Sequence, residues 1–123
     1  MLCRYEEELR SLPQQDGFPV IDIVLLGMGP DGHTCSLFPG HPQVNESTKW
    51  VTHITDSPKP PSERITLTLP VLNNASHVFF IATGKDKSPR IQELLHQTAS
   101  FPSALVRPTA GELLWFVDSA AYN

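Results

Sequence analysis

Asp31 and His33 stand two positions apart in the stretch Gly27-Met28-Gly29-Pro30-Asp31-Gly32-His33-Thr34-Cys35-Ser36-Leu37-Phe38-Pro39. An acid beside an imidazole can handle protons, because histidine changes charge near neutrality and is suited to taking a proton from water. Asp31 can hold that imidazole in one tautomer, contact ligand hydroxyls, or close an Asx turn on its own backbone. His33 can equally do no more than cap a following helix. Gly27, Gly29 and Gly32 let the chain turn tightly and approach a ligand closely. The amides of Gly29, Gly32 and their neighbours are oxyanion-hole candidates, each such donor being worth about 3 kcal/mol when well placed. Cys35 invites a Cys–His nucleophile. Adjacent side chains on a turn rarely meet at hydrogen-bond distance, so it is read as packing. A metal site from Asp31, His33 and His41 has no recognised ligand spacing.

Such a pair needs a rigid mount, and the preceding residues supply one. Residues 20–26, Val-Ile-Asp-Ile-Val-Leu-Leu, predict a strand buried on both faces, as in a parallel sheet covered by helices. Open α/β sheets bind ligands at the carboxyl ends of their strands, where this turn begins. Residues 34–38 are read as a short helix aiming its N–H groups back at the glycines. Upstream, Leu2, Tyr5, Leu9 and Leu12 fall at helical spacing, with Glu6, Glu7, Glu8 and Arg10 opposite and Pro13 as the stop. Residues 14–18 are a polar turn, residues 40–48 a loop, and residues 50–54 a short strand. Three prolines keep residues 56–62 extended and exposed.

Residues 65–69 alternate with the period of a strand, while Pro70 suits the start of a helix through Ala75. Residues 77–82 predict a second buried strand. Ser88 and Pro89 are read as N-cap and first position of a helix to about Ala99, with Ile91, Leu94 and Leu95 inward. Residues 104–106 and 113–117 are strand candidates around a turn at 108–111. Trp50 and Trp115 belong to the core or its rim. This alternation gives an α/β class, an open and mainly parallel sheet with helices on both faces. Residues 1–123 form one α/β domain at this length.

The turn resembles the signature of the 6-phosphogluconolactonases, hydrolases of a sugar-phosphate lactone in the oxidative branch of the pentose phosphate pathway. The matching residues are Gly27, Gly29, Asp31-Gly32-His33-Thr34 and Ser36-Leu37-Phe38-Pro39. Further similarities follow in the family's order: Arg64-Ile65-Thr66-Leu67-Thr68-Leu69-Pro70, Thr83-Gly84-x-x-Lys87, and Ala104-Leu105-Val106 followed by Leu114-Trp115-Phe116-Val117-Asp118. One glycine-rich turn is a weak signal; four motifs in register are specific. The resemblance implies a Rossmann-like, NagB-like fold and a cofactor-free, metal-free conversion of 6-phospho-D-glucono-1,5-lactone to 6-phospho-D-gluconate by a monomer. It assigns the general-base role to His33 and favours a helix around residues 65–69.

The resemblance also singles out Arg64 and Lys87 as the phosphate ligands. Arginine offers a planar fork and lysine a point charge. Lys85 and Arg90 lack that support and are read as surface charges. Glucosamine-6-phosphate deaminases are similar in the Asp-Gly-His turn but carry a glutamate where this chain has Phe38, so the apolar ring argues for hydrolysis over ring opening and deamination. Members of the family also carry a further segment before the matched part, including a glycine-serine phosphate loop. The chain is therefore expected to be a C-terminal portion of a lactonase domain. Its rivals are an isomerase or deaminase of the same superfamily and an inactive fragment that binds sugar phosphate.

A formal charge of −4 leaves no basic footprint for nucleic acid. No apolar segment approaches 18 residues and no signal-peptide pattern is present, so no membrane association and a cytoplasmic location are expected. The cysteines, Cys3 and Cys35, form no disulfide framework and fit a reducing compartment. The 12 prolines make the loops numerous and stiff.

Overall fold

The computed structural model describes residues 2–123. Helix α1 (Leu2–Leu9) stops a turn before Pro13, and its faces differ from the expected stripe. Tyr5 is exposed and Leu9 only half-buried, while Glu6 turns inward and accepts a 3.3 Å hydrogen bond from the Val51 N–H. A strand-end amide without a backbone partner needs an acceptor, and this outranks the simple stripe. The Leu2 side chain, counted in that stripe, lies outside the described residues. The polar turn is a small hairpin, β1 (Gln14–Gln15) against β2 (Phe18–Pro19). Asp16 (φ 57°) and Gly17 (φ 85°) supply the two left-handed residues that a two-residue hairpin turn demands.

Strands β3 (Ile23–Leu26), β6 (His77–Ala82) and β7 (Glu112–Val117) form a parallel sheet with β6 in the middle. Between β3 and β6 the chain makes an antiparallel pair, β4 (Val51–Ile54) with β5 (Arg64–Leu67). The helices are α2 (Leu69–Leu72), α3 (Ser88–Leu95), α4 (Pro102–Leu105) and α5 (Ser119–Tyr122). The α/β class and open parallel sheet follow the sequence. The burial of the strands does not: Val24, Leu26, Val78, Phe80 and Ala82 are buried, while Ile23, Leu25, Ile81 and Phe116 on the alternate positions are exposed. Residues of all four helices after α1 cluster with the buried set. An aliphatic run reports that both faces are apolar, not that both are covered.

Two further differences lie near the site. Residues 34–38 are no helix; Thr34 and Leu37 form an isolated antiparallel bridge around Cys35, whose φ is 51°. The Thr34 hydroxyl donates to Gly27 O at 2.8 Å, and Thr66 Oγ1 accepts from Ser36 N at 3.1 Å, so side chains close the turn that a helix was expected to make. Residues 104–106 begin inside a helical turn rather than a strand, because Pro102 opens α4.

Other boundaries shift less. β5 ends at Leu67 and α2 follows with Pro70 near its start, so the strand and helix signals over residues 65–75 are both used in succession. Lys87, not Ser88, is the residue before α3, which ends at Leu95 with that side chain 51% exposed. The core is dense where it counts: Phe80 and Trp115 stack with ring centroids 3.9 Å apart.

Thr68, fully buried ahead of α2, donates its hydroxyl to Lys49 O at 2.7 Å and its N–H to Trp50 O at 3.1 Å. Thr68→Val keeps the shape but removes the hydroxyl and orphans a carbonyl. Urea unfolding should show a loss of about 1–3 kcal/mol.

Candidate active site

Because β3 and β6 run parallel as neighbours, the turns that leave their carboxyl ends emerge on one edge of the sheet. Residues 27–33 leave β3 there, and residues 83–87 leave β6. In the first turn Asp31 Oδ1 accepts two hydrogen bonds, from the His33 backbone N–H at 3.0 Å and from His33 Nδ1 at 2.6 Å. The Asx turn and the held imidazole were alternatives in the sequence; one carboxylate oxygen makes both. His33 lines a cleft of about 300 Å³ with Gly27, Met28, Gly29, Thr34 and Cys35.

The glycine amides stand elsewhere than expected. Gly29 N–H donates to His33 O at 3.0 Å and Gly32 N–H to Gly29 O at 2.9 Å, so both donors are spent in closing the turn. In this conformation both amides serve the turn and point to no ligand, because a turn this tight consumes its own amides. Their missing side chains matter instead. A Cβ on Gly29 would run into the His33 ring, and Gly32 combines φ 90° with the Phe101 ring where its Cβ would lie.

Burial works to raise the Asp31 carboxyl, but the His33 N–H, the ring hydrogen bond and the imidazole charge outweigh it and hold the group below its usual range. A carboxyl lowered in the folded chain contributes stability above its unfolded value and loses it as pH falls through the folded value. An NMR titration of the Asp31 carboxyl carbon should therefore give a midpoint below the ordinary 3.8. A midpoint at or above 3.8 contradicts the bond. Burial pushes the Cys35 thiol up to about 11 against the Thr34 hydroxyl, so no thiolate forms near neutrality and packing fits it better than nucleophilic attack.

Phe38, almost fully buried, is the ring on which three polar side chains converge. The His33 ring lies 4.6 Å from its centroid, the Arg64 guanidinium 5.5 Å and the His41 ring 5.8 Å. The structure thus brings Arg64 within one ring of His33. Arg64 is also tied back: Nε donates to Pro61 O, and Nη2 to Lys59 O and Pro60 O. Lys87 sits at the head of α3 on the same sheet edge, its side chain 19% exposed and its Nζ 3.5 Å from Asp86.

Two residues that brace this turn, Ser103 and Phe101, carry no signal in the sequence, and a third, Arg90, reads there as a surface charge. Ser103 donates both its hydroxyl (2.8 Å) and its N–H (3.0 Å) to Gly32 O, and Phe101 packs on Gly32. Arg90 lies over the Phe101 ring at 5.9 Å and pairs with Glu93 at 2.8 Å, so it is more than a surface charge. No local signal could have found them, since Ser103 reaches Gly32 across 71 positions.

Comparison with known proteins bears on this geometry. The profile of the family described as glucosamine-6-phosphate isomerases/6-phosphogluconolactonase matches residues 1–115. The 6-phosphogluconolactonase of Rattus norvegicus is 53% identical over 118 residues, covering 95% of this chain and 46% of the rat protein. That of Homo sapiens is 52% identical over 119 residues, again 95% of this chain and 46% of the other. Among solved structures, the 6-phosphogluconolactonase from Leishmania guyanensis superposes with a TM-score of 0.85 at 34% identity, over 98% of this chain and 50% of that one. The chain spans about half the length of the curated relatives it matches.

Proposed function

The chain belongs to the family of glucosamine-6-phosphate isomerases and 6-phosphogluconolactonases, and on that premise we propose that it carries the lactone-opening half of a 6-phosphogluconolactonase site. The observation that carries the reading is the His33 imidazole held by Asp31 at 2.6 Å, at the carboxyl end of a parallel strand. With Nδ1–H donated to Asp31, Nε2 has the lone pair that takes a proton from water. The resulting hydroxide attacks C1 of 6-phospho-D-glucono-1,5-lactone. The tetrahedral oxyanion collapses, the bond from C1 to the ring oxygen breaks, and the imidazolium returns its proton to that oxygen. Backbone at Thr34 and Cys35, which lines the cleft, is the candidate to face the oxyanion. Lys87 and Arg64 receive the phosphate, Arg64 by giving up carbonyl contacts in residues 59–61. Hydrolysis of an activated ester needs no redox group and no cofactor.

Phe38 supports hydrolysis over the deaminase alternative, because it presses an apolar ring, not a carboxylate, against His33. The same reading treats residues 1–123 as a single α/β domain in the cytoplasm, working without a second copy. The half-length match favours one further reading, a chain that binds the sugar phosphate without turning it over. Acid release from freshly generated lactone decides between them. Release faster than spontaneous opening supports hydrolysis. Binding of 6-phosphogluconate without acceleration supports the binder, and neither effect overturns both.

A further inference from the structure

Asp118 ends the motif Leu114-Trp115-Phe116-Val117-Asp118, and the lactone-opening chemistry makes no use of it. Strands β6 and β7 finish side by side, with Ala82 paired to Val117, so both chains leave the sheet on the edge that carries Lys87. There the Asp118 carboxylate accepts the Gly84 N–H, with Oδ1 at 3.1 Å and Oδ2 at 3.3 Å. Oδ1 also accepts the Ala121 N–H at 2.9 Å, which makes Asp118 the N-cap of α5. One side chain therefore ties the turn after β6 to the helix after β7. Gly84 lies at φ 98°, and its carbonyl accepts the Lys87 N–H at 3.2 Å, closing the tight turn Lys85–Lys87 from which α3 starts. Among the described residues, no other side chain bonds the backbone of residues 83–87. Helix α5 is in turn tied to α3, where the Gln92 side-chain amide donates to Tyr122 O.

We propose that Asp118 is a positioning residue: by holding the Gly84 amide, it fixes the turn that presents Lys87 to the substrate phosphate. The inference rests on the lactonase reading for its ligand and on the carboxylate's own bonds for its residue. A cation grips phosphate best when it is already in place, since every side chain and loop ordered on binding costs affinity. Glycine is a poor anchor for such a turn, because its backbone has the widest freedom of any residue. A carboxylate that accepts the Gly84 N–H removes that freedom without adding a Cβ. An acid suits the task better than a neutral side chain, because N–H bonds to a charged oxygen are shorter and stronger. The Ala121 and Gly84 N–H groups hold the Asp118 carboxyl below its ordinary range, so the charge is present throughout the neutral region. Capping alone leaves the reach to Gly84 unexplained. Serine or asparagine caps a helix as well as aspartate does, with one oxygen, whereas both oxygens of Asp118 face the Gly84 N–H.

The test is an NMR titration with 6-phosphogluconate, set beside a melting curve for each chain. Asp118→Ser keeps one oxygen for the Ala121 N–H and leaves none for Gly84. Its affinity should fall at least about tenfold, the scale of one charge-assisted hydrogen bond. The melting temperature should hold, and the Gly84 amide resonance should move. In a Lys87→Ala background the same serine should weaken binding no further, because its effect runs through the lysine. An Asp118→Ser chain with the parent's affinity, or a loss that persists undiminished without Lys87, overturns the inference and leaves the lactonase reading standing. A loss that tracks a fall in melting temperature reduces Asp118 to a helix cap and overturns the inference as well. A parent chain that neither binds 6-phosphogluconate nor hydrolyses the lactone overturns the lactonase reading itself, and the positioning role falls with it.

Discussion

Replacing His33 with alanine is expected to slow lactone hydrolysis by roughly 10²–10⁴-fold, the usual contribution of a positioned acid–base group. The loss should fall on kcat rather than KM, because in the proposed site the imidazole works on the water and the ring oxygen while phosphate binding is left to Lys87 and Arg64. The fold should survive. The ring's one hydrogen bond is to Asp31 at the surface, and the turn beneath it is closed by Gly29 N–H to His33 O, Thr34 to Gly27 and Ser103 to Gly32, none of which needs the imidazole. Acid release and a urea midpoint on the same preparation measure the two effects separately. Undiminished acid release by His33→Ala would remove the general base from the proposal.

The sequence made legible what depends on residue type within a few positions. The aliphatic run of β3, its glycines, and the acid and imidazole beyond them are legible from residue types alone, because strand composition and turn chemistry are local. The strand period over residues 65–69 was likewise readable, and β5 takes up its first part, ending at Leu67. What was lost depended on what packs against what. Nothing in Ile23 or Leu25 distinguishes a covered face from a bare one. The amides of Gly29 and Gly32 looked available because their acceptors, His33 O and Gly29 O, are fixed only once the turn has closed. A helix over residues 34–38 was a fair reading of N-terminal geometry, but Cys35 adopts a left-handed conformation that the side-chain bonds of Thr34 and Thr66 hold in place. Phe101 and Ser103 brace Gly32 from far along the chain, where no spacing rule reaches.

Gly29 offers the sharpest separation of site from scaffold. Its backbone is not left-handed, so a side chain there meets no conformational barrier. The obstacle is space: a Cβ would overlap the His33 ring and come within 2.9 Å of Asp31 Oδ1. Gly29→Ala keeps the N–H that bonds His33 O, yet the imidazole must swing off the carboxylate that orients it. Displacement of a reacting group by about 1 Å can cost 10²-fold, so kcat should fall by about a hundredfold. Stability should hold or rise slightly, since replacing glycine where the conformation is permitted restricts the unfolded chain by about 0.4–1 kcal/mol. Gly32→Ala makes the contrast. There φ is 90° and Phe101 blocks the Cβ, so backbone strain and a core clash should lower stability and activity together. Acid release set against the urea midpoint reads both variants. A Gly29→Ala chain within about twofold of the parent rate would mean that the ring need not stay where Asp31 holds it.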